Sequence, residues 1–289
     1  MLFDIVITSL INGSIYALLA IGFSLIFGVA RIVNIAHTAF FMLAAYCIFF
    51  LTHRLGLNPL LAMCIAIMLA ILLGIIAYKL VIESIREHEA AVLIATIALA
   101  MIFQELILLG FKGEFRSVPA LIEGYFSIFG AKIAYQQLLT IIVVLFTLAG
   151  TWWLLMKTKL GLAIRATAQD REVAGLMGMD EARVAVVIIG ISIGLAALAG
   201  AVVAPLSVIF PAMWMGPLIM MMAVVVLGGM GSLKGSFVGA YILGLAEALV
   251  VFLLPAGAFL KGPVALSIMI LVLLIRPDGL FGVSFEEER

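Results

Sequence analysis

Four isolated polar residues, each within or beside an apolar run, are the candidates for chemistry in this sequence: Asn12, Asn34, His37 and Glu247. A polar or ionisable side chain inside a membrane segment is costly, so it needs either a partner or a function. Such groups could line a path for a polar solute. Each also has a structural alternative: an interhelical hydrogen bond for Asn12, a capping or packing role for Asn34 and His37, and a hydrogen bond made in the protonated form for Glu247. We take the four as candidate pathway residues and leave both interpretations open.

Enzyme and cofactor chemistry finds no support in the sequence. His37 has no Cys, Asp or second His at the spacing of metal ligands. The glycine-rich stretch "GGMGSLKGS" at 228–236 contains a lysine, but Leu233 precedes Lys234 where a nucleotide-binding P-loop needs glycine. No HExxH motif is present, and the GxSxG pattern at 190–194 lies inside an apolar run. The sequence therefore predicts a protein that is not an enzyme and that holds no metal and no cofactor.

The composition indicates an integral membrane protein. Of the 289 residues, 66% are hydrophobic and only 11% are charged, whereas a soluble domain is nearer half apolar and a quarter charged. The formal net charge is zero, so no basic face suggests nucleic acid as a partner. The opening "MLFDIVITSL" lacks the positively charged start of a cleaved signal peptide, and we expect the first apolar run to remain in the lipid bilayer as an anchor.

Apolar runs recur along the whole chain, and helices are the default because lipid forces backbone groups to pair within a segment. The runs are 5–29, 36–52, 60–82, 90–111, 135–156, 184–204, 217–228, 236–254 and 264–275. Most are near the 20 residues that a helix needs to cross about 30 Å of hydrocarbon, but 36–52 and 217–228 are short. The sequence predicts an all-α integral membrane protein of about eight transmembrane helices, with one or two short broken or re-entrant helices. Residues 1–289 form a single transmembrane domain in this interpretation.

The longest polar interruption lies at residues 158–183 and has a helical pattern. Apolar residues recur at roughly helical spacing from Leu162 to Leu176. Arg165, Gln169 and Glu172 form a polar stripe at i, i+4 and i+7. The pattern predicts a short amphipathic helix at the membrane surface.

The end of this segment carries signals for a stop and a restart. Gly178 stands where a helix end favours a left-handed residue, and Asp180 fits the N-cap of the next apolar span. The surface helix has mixed charge and many Ala, Gly and Leu residues, unlike the Lys- and Arg-rich helices that float among lipid headgroups. Docking against another protein and an interfacial position both remain open.

The distribution of Lys and Arg orients the chain. With 158–183 on the cytoplasmic side and every apolar run counted as a crossing, eleven of these residues fall on the cytoplasmic side and five outside, in line with the positive-inside rule. If 217–228 re-enters instead of crossing, the C-terminus changes sides.

Four stretches carry a family resemblance. "GLAIRATAQDREVAGLMGMD" resembles the cytoplasmic coupling loop of binding-protein-dependent ABC importer permeases, in the version of the branched-chain amino acid subfamily. "LIFGVARIVNIAHTAFFMLAAY", "VVVLGGMGSLKGSFVGAYILGLAEAL" and "LIRPDGLFG" are similar to other signatures of that subfamily, in the family's order. One departure is Thr38, which follows His37 where family members often have Gly.

The resemblance implies a function and a set of partners. A permease of this family forms half of a translocation pathway, commonly with a second related permease subunit in a heterodimer. Two cytoplasmic ATP-binding cassette subunits hydrolyse ATP, and an extracytoplasmic amino-acid-binding protein delivers the substrate in the inner membrane of a prokaryotic cell. Gly161, Arg165, Ala168, Asp170 and Gly178 match the coupling-loop pattern, which implies a role in coupling to the ATPase. The alternatives are a permease for another small solute in the same superfamily and a self-sufficient secondary transporter.

Overall fold

The computed structural model describes residues 2–128 and 131–282, and helices dominate it. In chain order the elements are α1 Leu2–Ala30, α2 His37–His53, α3 Pro59–Ala77, α4 Glu89–Phe111, β1 Tyr125–Ile128, β2 Ala131–Ala134, α5 Tyr135–Lys157, α6 Lys159–Gln169, α7 Arg171–Leu176, α8 Glu181–Val203, α9 Met215–Gly228, α10 Leu233–Leu253 and α11 Gly257–Ile275. A π-helical turn, Tyr78–Ile82, and a 3-10 turn, Glu83–Ile85, extend α3. The predicted all-α membrane class is confirmed. A small antiparallel hairpin, β1 with β2, is a feature that the sequence pattern did not suggest.

Among the described residues, seven helices are long and apolar enough to cross a membrane, and α2 and α9 are shorter apolar helices of 17 and 14 residues. This agrees with the prediction of about eight spans with one or two short ones. The central helices α1 and α8 are mostly buried, and α1 packs mainly against α10. The helices α3, α4, α5 and α11 expose most of their apolar side chains, as expected of surfaces that face lipid or a second subunit.

Close backbone contact holds the bundle together at small residues. A Cβ atom at Gly244 of α10 would lie 2.6 Å from the backbone nitrogen of Gly13 in α1. Only glycine allows the two backbones to approach this closely. Gly190 and Gly194 of α8 have the four-residue spacing that favours helix contact in lipid, and they lie against Ile71 of α3. Their contact is within the chain.

The two ends of the bundle can be told apart by their loops. At one end, which we call the α6 face, Ala168 of α6, Gly28 near the end of α1, Ser232 before α10 and Phe281 after α11 line one cavity. At the opposite end, which we call the hairpin face, Arg116 and Ile209 exchange backbone hydrogen bonds. The long helices run between these two faces.

The short helix α9 also runs from one face to the other. At its start, the Trp214 indole Nε1 donates a 2.8 Å hydrogen bond to Gln104 Oε1 in the hairpin-face half of α4. At its end, the Leu227 carbonyl accepts from the Leu280 amide at 2.9 Å, beside the α6-face cavity. The helix alone is about 21 Å long at 1.5 Å per residue, and it completes the crossing together with the segment that leads into it from Ile209 on the hairpin face. The crossing places the described end of the chain, near Phe281, on the α6 face.

Candidate coupling surface and pathway residues

The corner between α5 and α6 is built by Thr158. Its hydroxyl donates to the Leu154 carbonyl at 2.6 Å, which closes α5, and it accepts from the Gly161 amide at 3.0 Å, which caps α6. A threonine at the N-cap satisfies one of the free amides at a helix start. One side chain therefore sets the direction in which α6 leaves the membrane helix.

Gly161 fastens α6 to the last turn of α5. It is buried, and a Cβ atom there would collide with the backbone carbonyls of Leu154 and Leu155. Backbone atoms cannot move aside as a flexible side chain can. The position of Gly161 is internal, so it holds α6 in place and offers no surface to a partner.

Arg165 and Asp170 are both exposed on the α6 face. Arg165 Nε donates a 3.4 Å bond to the Gly161 carbonyl of its own helix. Asp170 has an extended backbone, with φ at −151°, and its Oδ1 accepts from the Val173 amide at 3.0 Å. The carboxylate therefore caps α7 and ends α6.

The break at Asp170 corrects one prediction. The sequence pattern put Arg165, Gln169 and Glu172 on one continuous stripe, but α6 ends at Gln169 and Glu172 belongs to α7. The local capping bond competes with helix continuation, because Asp readily binds nearby backbone amides. The surface segment is two short helices with a corner.

The stop and the restart after α7 are confirmed. Gly178 has φ at +83°, and the Met179 amide donates to the Ala174 carbonyl at 3.1 Å, which satisfies a carbonyl at the helix end. Asp180 accepts from the Arg183 amide at 3.1 Å and caps α8. Gly178 is exposed and shapes the turn.

Four large apolar side chains of α6 and α7 project away from the bundle, and we call them the α6–α7 apolar surface: Leu162, Val173, Leu176 and Met177. Leu176 is 87% exposed and Met177 is 77% exposed. The opposite side of the two helices is buried at Ile164 and Ala174. An apolar surface on an otherwise polar segment is typical of a protein interaction site.

Ala168 lies between α6 and the rest of the bundle. It lines a cavity of about 250 Å³ together with Gly28, Arg31, Ser232 and Phe281. The cavity joins α6 to the end of α1, the α9–α10 connection and the segment after α11. Of the five residues predicted for coupling, Arg165, Asp170 and Gly178 lie on the exposed side, and Gly161 and Ala168 connect that side to the membrane helices.

Asn34 and His37 lie deeper in the bundle than their place at the start of an apolar run suggested. His37 is fully buried and its ring packs against Gly22 of α1, which is eight residues, or about 12 Å at 1.5 Å per residue, from the end of α1. The connection between α1 and α2 therefore turns back into the protein. If the first two apolar runs simply crossed the membrane one after the other, both residues would lie near a membrane face.

Several buried polar atoms around the start of α2 have no hydrogen-bond partner in the described part of the chain, and we call them the α2 polar cluster: Asn34 Oδ1, His37 Nδ1 and Nε2, and Thr38 Oγ1. The His37 ring lies near the backbone of Leu19 without a bond of acceptable geometry to its nitrogens. By contrast, the neighbouring Ser192 hydroxyl of α8 donates to the Gly22 carbonyl. Buried polar groups are nearly always paired, so this cluster is unlike the rest of the described core.

Glu247 is held by two partners from different helices. The Tyr16 hydroxyl of α1 donates to its Oε2 at 2.5 Å, and Lys261 Nζ of α11 lies 2.7 Å from its Oε1. The carboxylate is 3% exposed. The structure therefore agrees with the structural interpretation, an intramembrane hydrogen bond, and adds an ion pair with a lysine in place of a protonated carboxyl. Sequence reasoning missed Lys261 as the partner because it placed that lysine in a loop before the last apolar run.

Asn12 is half-buried on α1, where Tyr241 of α10 packs on the neighbouring Gly13. The adjacent Ser14 hydroxyl shares a 3.0 Å hydrogen bond with the Tyr241 hydroxyl. The four pathway candidates are thus not one site. Asn34 and His37 lie together in the α6-face half of the bundle, whereas Asn12 and Glu247 lie in the hairpin-face half.

The amino-acid sequence matches a family model over residues 5–275, described as the permease component of branched-chain amino acid transport systems. The chain is 30% identical to the high-affinity branched-chain amino acid transport system permease protein BraD of Pseudomonas aeruginosa, over 96% of this chain and 94% of the relative. It is also 30% identical to the probable branched-chain amino acid transport permease protein LivH of Methanocaldococcus jannaschii, over 96% and 92%. The Escherichia coli protein LivH is 29% identical over 93% and 92%.

Among solved structures, the fold resembles PsaBC from Streptococcus pneumoniae in complex with Fab. The TM-score is 0.52, and the superposition covers 96% of this chain and 92% of that chain. Sequence identity is 16%, so the likeness concerns the fold alone.

Proposed function

Since the chain belongs to the family of branched-chain amino acid transport permeases, by its match over residues 5–275, we propose that it is the transmembrane permease subunit of an ATP-driven importer for branched-chain or similar hydrophobic amino acids. The subunit forms half of the translocation pathway. Its α6 and α7 helices receive the movement of cytoplasmic ATPase subunits. The observation that carries this proposal is the α6–α7 apolar surface.

The α6–α7 apolar surface has the features of a docking site for a cytoplasmic protein. Leu176 and Met177 are almost fully exposed, and exposed apolar side chains at the centre of an interface contribute most of its binding energy. Arg165 and Asp170 provide charges of both signs at its edge. A partner with an apolar cleft and a polar rim fits this surface.

The position of α6 allows a movement there to reach the membrane helices. The helix contacts α1, α5 and α8, and Gly161 holds it on the backbone of α5. A rigid displacement of α6 therefore acts on three spans at once. Alternating access by rigid-body movement of packed helices is a common form of conformational change.

ATP hydrolysis belongs to the partners in this proposal. The glycine-rich stretch at 228–236 connects α9 to α10, where Ser232 caps α10 and Gly235 packs on the backbone of Gly228. These residues are occupied with helix packing. We expect two ATP-binding cassette subunits at the α6 face, a second related permease subunit beside the chain, and an extracytoplasmic binding protein at the hairpin face.

The pathway assignment follows from the same geometry. Asn34 and His37 have buried polar atoms without partners, and we infer that they meet water or substrate when the bundle changes state. Asn12 stays a pathway candidate on α1. Glu247 has both carboxylate oxygens engaged, so a role as the proton or sodium site of a secondary transporter has little support.

The test uses the chain reconstituted in liposomes with its partner subunits and binding protein. We expect leucine uptake that requires ATP and that Leu176→Glu reduces by at least about tenfold, since a buried charge in an interface costs more than 1.4 kcal/mol. Leu176→Met is the matched control, because it keeps an apolar side chain at the same exposed position. Leucine uptake driven by an ion gradient without any ATPase would overturn the proposal.

A further inference from the structure

An apolar groove runs between α2 and α4 in the hairpin-face half of the bundle. Its volume is about 660 Å³. The groove is lined by Leu43, Tyr46, Cys47, Phe50, Ile107 and Phe111. The lining residues run from the middle of α2 to its end and along the last turn of α4, so the groove extends from within the bundle toward the hairpin face.

A polar cavity of about 240 Å³ continues the groove toward the membrane surface. Arg54, Gly110 and Phe111 line both spaces. Lys112 and Arg116 line the polar cavity but not the groove. The two spaces therefore form one path, apolar at depth and basic at the surface.

The polar cavity has an excess of positive charge. Arg54, Lys112 and Arg116 face one carboxylate, that of Glu114, which pairs with Arg116 at 2.5 Å. Arg54 and Lys112 have no ion-pair partner in the described ranges 2–128 and 131–282, and Arg116 Nε is buried without a hydrogen bond. The cavity thus has free donors for an anion.

A further donor lines the apolar groove beside Phe111, which borders both spaces. The Tyr46 residue is 2% exposed, its hydroxyl has no hydrogen-bond partner among the described residues, and its ring packs on Phe111 with centroids 5.0 Å apart. A buried hydroxyl without a partner costs about 1–3 kcal/mol. An acceptor atom bound at this depth would remove that cost.

We propose that this site binds a phospholipid with an anionic headgroup. The phosphate lies among Arg54, Lys112 and Arg116, an ester carbonyl accepts from Tyr46, and an acyl chain fills the groove. An amphiphile explains both spaces, whereas a small polar solute would fill only the polar cavity and leave the apolar groove open. The proposal depends on the membrane position of the chain and not on what the protein transports.

Cys47 is a native reporter for the groove. It is half-buried and lines the groove, and the other free cysteine, Cys64, lies elsewhere on α3. We would measure the rate of N-ethylmaleimide reaction with Cys47 in a Cys64→Ser chain in nanodiscs of phosphatidylcholine with increasing phosphatidylglycerol. The expected result is slower labelling as the phosphatidylglycerol fraction rises. Added glycerol phosphate, the headgroup without tails, should give no protection.

Variants separate the headgroup from the tail. Each basic residue near a membrane contributes roughly a fivefold change in affinity for an anionic lipid, so Arg54→Gln with Lys112→Gln should raise the phosphatidylglycerol fraction needed for half protection by roughly thirtyfold. Lys79→Gln, at the other face, is the matched control. Gly110→Leu should remove the lipid dependence without a charge change, because the position faces open space.

The proposal is overturned if labelling does not depend on phosphatidylglycerol, if the double variant keeps the full protection, or if glycerol phosphate protects as well as the lipid. Slow labelling of Cys47 in every lipid mixture would also overturn the proposal, since this result would mean that a second protein chain covers the groove.

Discussion

Glu247 of α10 and Lys261 of α11 form an ion pair in which the two residues differ sharply in burial. The carboxylate is 3% exposed and the lysine side chain is 43% exposed, with Nζ 2.7 Å from Oε1. A charge that cannot reach water depends on its partner, whereas a lysine near a helix end can extend to the membrane surface. Loss of the lysine should therefore lower the stability of the protein more than loss of the carboxylate charge.

This asymmetry predicts that Lys261→Gln destabilises the protein more than Glu247→Gln does. Removal of the lysine leaves a buried carboxylate without its counterion, at a cost of about 3–5 kcal/mol. Removal of the carboxylate charge leaves a lysine that can extend to water, and the glutamine oxygen still accepts from Tyr16, so about 1 kcal/mol is expected. Thermal melting of the purified variants in detergent gives the order. Equal melting temperatures for the two variants would contradict the prediction, because they would mean that the carboxylate does not depend on the lysine for its stability.

Gly161→Ala should destabilise the corner between α5 and α6 and weaken coupling between ATP hydrolysis and transport. The added Cβ meets the backbone carbonyls of Leu154 and Leu155, and overpacking of this kind costs about 1–3 kcal/mol. Gly150→Ala is the matched control on the same α5 helix, because nothing lies within 4 Å of its Cβ position. That change should stabilise the helix by about 1 kcal/mol. The ratio of ATP hydrolysed to leucine imported measures coupling, and an unchanged ratio in Gly161→Ala would be evidence against the role of this corner.

Asp170→Ala should loosen α7, whereas Asp170→Asn should not. The carboxylate oxygen accepts from the Val173 amide, an amide oxygen can do the same, and loss of the cap costs about 1 kcal/mol. Hydrogen exchange at residues 173–176 measures the effect directly. We expect roughly fivefold faster exchange in the alanine variant, and similar rates in both variants would mean that the cap does not hold the helix.

Thr38→Val should leave the protein as stable as before or stabilise it, although the hydroxyl is fully buried. The hydroxyl has no partner among the described residues, and replacing an unpaired buried polar group with an apolar one of the same shape removes a desolvation cost of about 1–3 kcal/mol. Ser192→Ala is the comparison, since the Ser192 hydroxyl donates to the Gly22 carbonyl and its loss should destabilise by about 1 kcal/mol. Melting temperatures that fall equally in both variants would mean that Thr38 has a partner in the membrane.

Features set by local chemistry could be predicted from the sequence. The turn at Gly178 and the cap at Asp180 follow from residues that are neighbours in the chain, and both agree with the structure. The membrane class and the short helices follow from the length of the apolar runs. The break at Asp170 was missed because an Asp within a helical pattern is compatible with both a cap and a continued helix.

Features set by distant contacts could not be predicted in this way. The ion pair of Glu247 with Lys261 depends on how α10 and α11 fold against each other, and the buried position of His37 depends on its contact with Gly22 of α1. The direction of α9 was open because a segment of its length fits both a crossing and a re-entrant helix. Each of these features depends on how the helices pack, and the hydrophobic periodicity of the sequence does not predict helix packing.

We expect a nucleotide-hydrolysing subunit to bind the α6–α7 apolar surface. The direct measurement is cysteine crosslinking from Leu176→Cys, in a chain whose Cys47 and Cys64 are replaced by serine, in cells that import leucine. We expect one dominant crosslink to the ATPase subunit, with a yield that changes when a non-hydrolysable ATP analogue is added to membranes. Recovery of the uncrosslinked chain, or of lipid adducts alone, from actively importing cells would contradict it.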